Sequence, residues 1–354
     1  MEESTLKHAS DTDITPTVTI SSQLYATDTS DIKSCIWPCT SDEVIAGSTD
    51  GKISKVSLMA GGACMQTEIY DNNNGKPITD IRGVKTDMLM YIDADRAQLR
   101  QSISKGQSQS VLQGVSVQTE ANGKLIRYFD KRGHVYVRDK AGNNILAYSV
   151  ENGSIDKEFV VEELKKTRYI CDFSINPKNG DFMAISNGGD LMYKSTNAAR
   201  PDAFYRFTGR DKERFASLSV DWNAQLLSTV GTITIDNVIY QHIVYLYSIS
   251  DTSNISLVVQ SKVWQTEKSS SIDMIGHIYF DQIEASNYIC CFTAATSSIL
   301  VFKYDIATHI IEKASLTQRL SNGKTCVVKQ AFDQFYVCFN SPDIAIVKIK
   351  LLSI

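Results

Sequence analysis

Short segments in which hydrophobic and polar residues alternate recur along most of the chain. Alternation with a period of two is typical of a strand with one buried face, because successive side chains point to opposite sides. The segments are rich in β-branched and aromatic residues, and they are separated by Gly, Asp, Asn and Pro, which favour turns. The pattern therefore predicts an almost entirely β structure.

The predicted strands group into repeated units. The first unit has strands at residues 32–37, 43–48, 53–58 and 65–69, with a Ser-Thr-Asp-Gly turn at residues 48–51 between its middle strands. The first strands of successive units begin near Ile32, Ile78, Val115, Tyr169, Ala216, Ile272 and Cys326. The spacing of these starts scatters around the roughly 40–50 residues typical of β-propeller blades.

The two ends of the chain complement each other. The last unit has only three predicted strands, whereas an extra strand at residues 17–25 precedes the first unit, with Val18, Ile20 and Leu24 predicted on its buried face. Pairing of that strand with the last unit removes two open sheet edges. We therefore expect an all-β protein, a single β-propeller over residues 15–354 with about seven four-stranded blades. The N-terminal strand closes the ring on the last blade, and residues 1–14 form a flexible acidic tail.

Two segments carry a family resemblance, at residues 43–53 (EVIAGSTDGKI) and 173–184 (FSINPKNGDFMA). Together with the repeat, they make the chain similar to the WD40-like β-propeller superfamily over residues 17–354. The chain is divergent, because no Trp-Asp dipeptide ends a third strand and its Gly276-His277 pair lies inside a predicted first strand. The resemblance implies a protein-interaction scaffold without catalysis. The departures predict that the family's buried Asp–His–Ser–Trp networks are absent and that the blades pack through apolar side chains.

Composition narrows the possible functions. The net charge is −4 and charged residues make up 21 % of the chain, which does not favour a nucleic-acid-binding protein. There is no run of 18 apolar residues and no apolar segment at the N-terminus, so we expect neither a membrane span nor a signal peptide. These features indicate a cytoplasmic or nuclear protein. The eight cysteines lie mostly in apolar strand-like segments, which predicts buried, reduced thiols.

No motif points to catalysis or to a cofactor. The five histidines are scattered, and neither H-E-x-x-H nor G-x-S-x-G occurs. Cys35 and Cys39 lack a second Cys/His pair at finger-like spacing, so we interpret them as structural. Cys290 and Cys291 are neighbours on a predicted strand and are expected to face opposite sides. A propeller hydrolase or esterase is the alternative function, and a cluster of acids or histidines with strongly perturbed pKa values at the central channel would favour it. A nucleic-acid-binding propeller is the third.

Residues 157–168 separate the third and fourth predicted units. Phe159, Val160 and Leu164 fit one face of a short amphipathic helix. This helix is either a connector packed on a neighbouring blade or a projecting element that docks a partner.

Basic residues in predicted loops form the candidate partner-binding set. In the WD40 order, the linkers before first strands and the turns between second and third strands lie on one face of the ring. The residues that would share this face are Arg96, Arg132, Lys165, Lys166, Arg168, Arg210, Lys212 and Arg214. Acidic residues are mixed among them, so two interpretations remain open. The face is an ordinary solvated surface, or it is a groove for an acidic peptide of a partner protein, whose carboxylates arginine binds in a bidentate manner.

Overall fold

A computed structural model of the protein describes residues 15–26, 32–73, 75–85, 88–93, 96–101, 126–129, 133–138, 144–151, 155–160, 169–195, 205–208, 214–235, 239–251, 255–267, 275–341 and 346–354. These residues form 28 strands in seven sheets. The helical structure among them is a single 3-10 turn at Ala60–Gly62. In this part of the chain, no helix has the length and hydropathy needed to cross a membrane.

The seven sheets are the blades of a β-propeller, and the strand β1 (Val18–Tyr25) precedes them. Blade 1 contains β2 (Lys33–Pro38), β3 (Glu43–Ser48), β4 (Lys52–Leu58) and β5 (Cys64–Asp71), and blade 2 contains β6 (Ile78–Lys85), β7 (Met88–Asp93) and β8 (Arg96–Gln101). Blade 3 contains β9 (Ile126–Phe129), β10 (His134–Arg138), β11 (Asn144–Ser149) and β12 (Ile155–Val160), and blade 4 contains β13 (Ile170–Ile175), β14 (Phe182–Ser186), β15 (Asp190–Lys194) and β16 (Tyr205–Thr208). Blade 5 contains β17 (Arg214–Asp221), β18 (Leu226–Ile235), β19 (Ile239–Ser248) and β20 (Ser256–Glu267), and blade 6 contains β21 (Ile275–Ile283), β22 (Ser286–Thr293), β23 (Ser298–Asp305), β24 (Ile310–Lys313) and β25 (Gln318–Arg319). Blade 7 contains β26 (Lys324–Ala331), β27 (Gln334–Asn340) and β28 (Ile346–Ser353).

Within each blade the strands pair antiparallel in the order of the chain, except that the short β25 pairs with β23. The first strands touch one another around a ring, in the order β2, β6, β9, β13, β17, β21, β26 and back to β2. They are therefore the innermost strands, and they surround the central channel. The expectation of an all-β propeller is confirmed. The described residues form six blades of four or five strands, and the three strands of blade 2 make the seventh sheet.

The core consists of apolar side chains between neighbouring blades. Cys290 and Cys291 show this arrangement, because both are fully buried but belong to different clusters. Cys290 packs with Phe335 and Val337 of blade 7, whereas Cys291 packs with Val244 of blade 5. The prediction that these two cysteines face opposite sides of their strand is confirmed. Each blade therefore has two buried faces, which explains the nearly continuous apolar runs of the middle strands.

The ring closes as predicted. β1 pairs antiparallel with β28, from Val18 opposite Ser353 to Tyr25 opposite Ile346. Through this pairing the N-terminal strand becomes the fourth strand of blade 7. The closure joins the two ends of the described chain and covers the outer edge of β28.

The predicted buried face of β1 is partly wrong. Val18 is buried and Ile20 is partly buried, but Leu24 is 42 % exposed, and its neighbour Tyr25 is 2 % exposed. The reason is that the two faces of the strand meet different blades. Val18 packs into the cluster shared with blade 6, whereas Tyr25, on the opposite face, packs into the cluster shared with blade 1. A single period-two pattern does not describe a strand whose contacts change sides along its length.

Blade 3 differs from the prediction by one strand. Its innermost strand is β9, which the sequence pattern placed second, and the predicted first strand near Val115 lies outside the described residues. The short helix predicted from residue 157 is wrong as far as residue 160, because Ile155–Val160 is β12, the fourth strand. The rest of that prediction, including Leu164, also lies outside the described residues. Outer strands contact only one neighbour in their sheet, so their local pattern specifies them weakly.

Candidate binding site in the central channel

The central channel contains a cavity of about 270 Å³. All seven innermost strands line it, which places it on the axis of the ring. It extends from the middle of these strands towards their C-terminal ends, as Pro38 and Ala331 are the last residues of β2 and β26. The polar and aromatic residues around it are Trp37, Arg82, Arg127, Asp172, Ser174, Ser217, Ser219, His277, Tyr279, Lys329 and Gln330.

Two buried aspartates anchor the channel wall. Asp80 and Asp172 are 0 % and 3 % exposed, and each is the third residue of its innermost strand, where the pairing with the second strand shifts register. Asp80 accepts a hydrogen bond from the backbone N of Ile126 in the next blade at 3.0 Å, and Asp172 does the same with Leu218 at 3.1 Å. Each carboxylate thus joins two neighbouring blades through the backbone.

These aspartates correct one expectation from the sequence. The absence of a Trp-Asp signature predicted that blades pack through apolar side chains alone. In the structure, buried carboxylates also hold blade 2 to blade 3 and blade 4 to blade 5. A buried carboxylate that accepts several N–H donors is satisfied in place, and removal of it leaves those donors without partners.

Two of the channel's cations are paired with these carboxylates. Arg127 donates to Asp172 at 2.7 Å and also to the carbonyl oxygen of Phe173 at 2.9 Å. Nζ of Lys329 lies 3.5 Å from Oδ1 of Asp80. Burial lowers the pKa of Lys329, and the nearby Arg127 and Arg82 lower it further, while the Asp80 carboxylate opposes this shift.

Arg82 is different from the other two cations. Its guanidinium lies over the ring of Trp37, 4.5 Å from the centroid. Its Nε is buried and has no hydrogen-bond partner among the described residues, and the side chain forms no ion pair with them. Burial, reinforced by the positive charge of Arg127, lowers the pKa of Arg82 to about 10. The nearby Asp80 carboxylate opposes this shift, although its described salt bridge is with Lys329. Arg82 therefore stays charged at neutral pH without an ion pair of its own among the described residues.

Gly83 keeps Trp37 in place beside Arg82. A Cβ atom at position 83 would lie 2.4 Å from Nε1 of the Trp37 ring. Only a residue without a side chain permits this approach, so the indole stands against the backbone of β6, next to the arginine that it covers. Stacking on an aromatic face covers one side of a guanidinium and leaves its N–H edge available for an acceptor.

The described residues around the cavity carry one more positive than negative charge. Arg82, Arg127 and Lys329 face two carboxylates, Asp80 and Asp172. Tyr279 adds no negative charge, because burial and the neighbouring Asp172 raise its pKa well above the ordinary range. Such a site can hold an anionic group, because the buried cations can form charge-assisted hydrogen bonds with its oxygens.

The carboxylates themselves are poorly placed for proton transfer. Asp172 receives four hydrogen bonds, from Arg127, the N–H groups of Phe173 and Leu218, and the hydroxyl of Ser217. Two donors therefore occupy each of its oxygens. A general base needs an oxygen that faces the substrate's proton, and neither oxygen of Asp172 is without donors from the protein.

The basic set that the sequence singled out lies mostly outside the described residues. Arg132, Lys165, Lys166, Arg168, Arg210 and Lys212 are not described. Arg214 is exposed at the first position of β17, and Arg96 begins β8. Both positions are at the end of the blades where the innermost strands begin. The cavity reaches the other end, where those strands finish. The described strands on either side of Arg132, β9 and β10, are the first and second strands of blade 3, whereas the sequence placed Arg132 between a second and a third strand. Partner binding by this set stays a prediction.

Sequence reasoning missed Arg82, Arg127 and Lys329. All three lie in segments that were predicted as strands. On sequence alone, no role was assigned to charged residues within those strands. The available signal was a charged residue in a strand that the propeller geometry makes innermost, since only the channel offers such a residue a polar environment. Asp80 and Asp172, each followed by an apolar residue in a first strand, carry the same signal.

Metal binding has no support in the described ranges. No three His, Cys, Asp or Glu side chains come together there in a group suited to an ion. Cys35 is buried and donates to the carbonyl oxygen of Ile78 at 3.3 Å, whereas Cys39 is exposed. Cys35 therefore acts as a core residue that joins blades 1 and 2.

Comparison with known proteins does not assign the chain to a family. No protein-family model matches this chain, and no curated protein is significantly similar to it. The functional interpretation therefore rests on the fold and on the residues of the channel.

Proposed function

We propose that this chain is a non-catalytic protein-interaction scaffold, a divergent WD40-like propeller that serves as a subunit of a multiprotein assembly. The closed ring is the observation that carries the proposal. β1 completes blade 7, and hydrogen bonds join innermost strands of neighbouring blades. A rigid frame that displays loops on both faces offers several separate docking surfaces.

Repeated local geometry supports the relation to the WD40-like superfamily. In blade 1, the Ser48 hydroxyl accepts from the backbone N of Lys52 at 3.0 Å, and Gly51 has a φ of +93°. In blade 4, the Ser186 hydroxyl accepts from the backbone N of Asp190 at 3.1 Å, and Gly189 has a φ of +78°. Both turns join second to third strands, so distant units share one hairpin design, as expected of a repeat protein.

The engaged carboxylates support a role without catalysis. Asp172 lies in the channel with His277 and Tyr279, the kind of cluster that a propeller hydrolase or esterase would use. The lone pairs of Asp172 are nevertheless taken by four donors, which makes the hydrolase the second candidate. Turnover of ester or phosphoester substrates that is lost in His277→Ala would favour it.

The expected partners are other proteins in the cytoplasm or nucleus, among them one with an acidic peptide segment. No cofactor and no membrane attachment belong to this proposal, and nucleic-acid binding is its third candidate. The acidic-peptide proposal concerns the basic residues Arg210, Lys212 and Arg214. Arginine pairs with carboxylates in a bidentate geometry, and such pairing gives docking both affinity and orientation.

The test is affinity purification of the tagged full chain followed by mass spectrometry, and then reconstitution of each complex from purified components. The scaffold proposal expects at least one partner that forms a complex of defined stoichiometry. Glu substitution of Arg210, Lys212 and Arg214 should weaken an acidic partner. The control is Lys178→Glu, in the turn between β13 and β14 at the other end of blade 4. If no purified partner forms a complex, the scaffold function is wrong.

A further inference from the structure

Three cations that the chain draws from different blades converge on the channel cavity. Arg82 comes from blade 2, Arg127 from blade 3 and Lys329 from blade 7, and all three line the same space. They interact unfavourably, because Arg127 lowers the pKa of Arg82, and both arginines lower the pKa of Lys329. The described residues offset only two of these charges, through Asp172 and Asp80.

We propose that this cavity binds a small anionic ligand through the phosphate or carboxylate oxygens that Arg82, Arg127 and Lys329 converge on. The inference goes beyond the scaffold role and does not depend on it. Arg82 is the central residue, since its Nε lacks a partner among the described residues while its guanidinium face is covered by Trp37.

The size and lining of the cavity fit a small ligand. Its volume of about 270 Å³ is just below the range of about 300–1,000 Å³ usual for ligand pockets. Ser174 and Ser219 also line the cavity. Their hydroxyls accept from Trp222 Nε1 and from the backbone N of Phe280, so each still has a proton to donate. Serine hydroxyls can donate to anionic oxygens that the cations leave unpaired. The site thus combines positive charge with neutral hydrogen-bond donors, as oxyanion sites require.

An anion in this position would relieve an unfavourable arrangement. A buried charge without a partner costs free energy, and three cations around one cavity raise that cost. Asp80 acts on Arg82 but forms its described salt bridge with Lys329, so one phosphate or carboxylate group would give Arg82 an ion pair that the described residues do not provide. The same argument predicts that Arg82→Gln folds, because the substitution removes a cation that Arg127 repels.

The experiment titrates the full chain with inorganic phosphate and, separately, with succinate, by calorimetry. Sodium chloride holds the ionic strength constant, so that general screening does not change. We expect saturable binding of at least one of the two ligands by the wild type. Arg82→Gln should weaken it tenfold or more, because a charge-assisted hydrogen bond is lost. Comparison of the two affinities shows whether the cavity prefers a phosphate or a dicarboxylate.

Two further variants make the result decisive. Arg214→Gln removes an exposed arginine at the first position of β17, away from the cavity, and should bind like the wild type. Arg82→Lys keeps the charge but loses the planar fork, and it should bind with intermediate affinity. It also provides the comparison if Arg82→Gln does not fold. The proposal is overturned if the wild type binds neither ligand saturably, or if all folded variants bind with the same affinity as the wild type.

Discussion

The neighbouring residues Leu24 and Tyr25 give the sharpest test of how the ring closes. Both lie on β1 opposite buried residues of β28, Val347 and Ile346. The alternation of the sequence places Leu24 in the core, whereas the structure leaves it 42 % exposed and buries Tyr25 to 2 %. Alanine at each position therefore separates the two interpretations.

The expected magnitudes follow from burial. Tyr25 belongs to the cluster with Tyr336 and Ile346, and its ring lies 6.0 Å from Nζ of Lys348. Truncation of a buried aromatic side chain to alanine costs about 3–5 kcal/mol, so Tyr25→Ala should lose stability in that range. Leu24→Ala removes a side chain that is largely in solvent, and it should cost about 1 kcal/mol or less.

The assay is urea unfolding followed by tryptophan fluorescence and circular dichroism, with the midpoint compared at an unchanged slope. Thr19→Ala, an exposed position on the same strand, provides the baseline. Coincident transitions from the two probes are required before free energies are compared. Equal losses for Leu24→Ala and Tyr25→Ala, or a larger loss for Leu24→Ala, would refute the placement of β1 between two blades.

Three more predictions concern the channel, the thiols and the charged face. Asp172→Asn should cost about 2–4 kcal/mol, because it leaves Arg127 without its counter-charge, while Glu151→Gln on an exposed turn should change little in the same melts. A thiol reagent should modify exposed Cys39 in the native protein about tenfold faster for each pH unit between about pH 7 and 9, because desolvation and Glu43 raise its pKa to about 11. Mass spectrometry should find the buried thiols modified only after unfolding: Cys35, Cys290, Cys291 and Cys338; rapid native labelling of most of them would contradict their burial. Glu at Arg210, Lys212 and Arg214 should change stability by less than about 0.5 kcal/mol per site, and it should weaken an acidic partner less at high salt; unchanged affinity in calorimetry would leave this face as ordinary surface.

The sequence by itself determined the architecture. Alternating segments predicted strands, and the missing strand at one end matched the spare strand at the other, which pairing of β1 with β28 confirms. The turns at Ser48 and Ser186 could also be predicted from the sequence, because each contains a glycine, Gly51 or Gly189, that adopts a positive φ. These features are local, or they follow from a count of strands, so one sequence is enough to reveal them.

Only the tertiary structure decided the start of blade 3, the buried face of β1 and the composition of the channel. Ile126 begins an innermost strand, where its backbone N donates to Asp80 of blade 2. Tyr25 is buried because blade 1 covers it. Arg82, Arg127 and Lys329 are far apart in the chain and meet only when seven blades close around one axis. Side-chain environment in a propeller depends on the neighbouring blade. Local periodicity reports that a strand has a buried face, but it does not report which blade will cover that face.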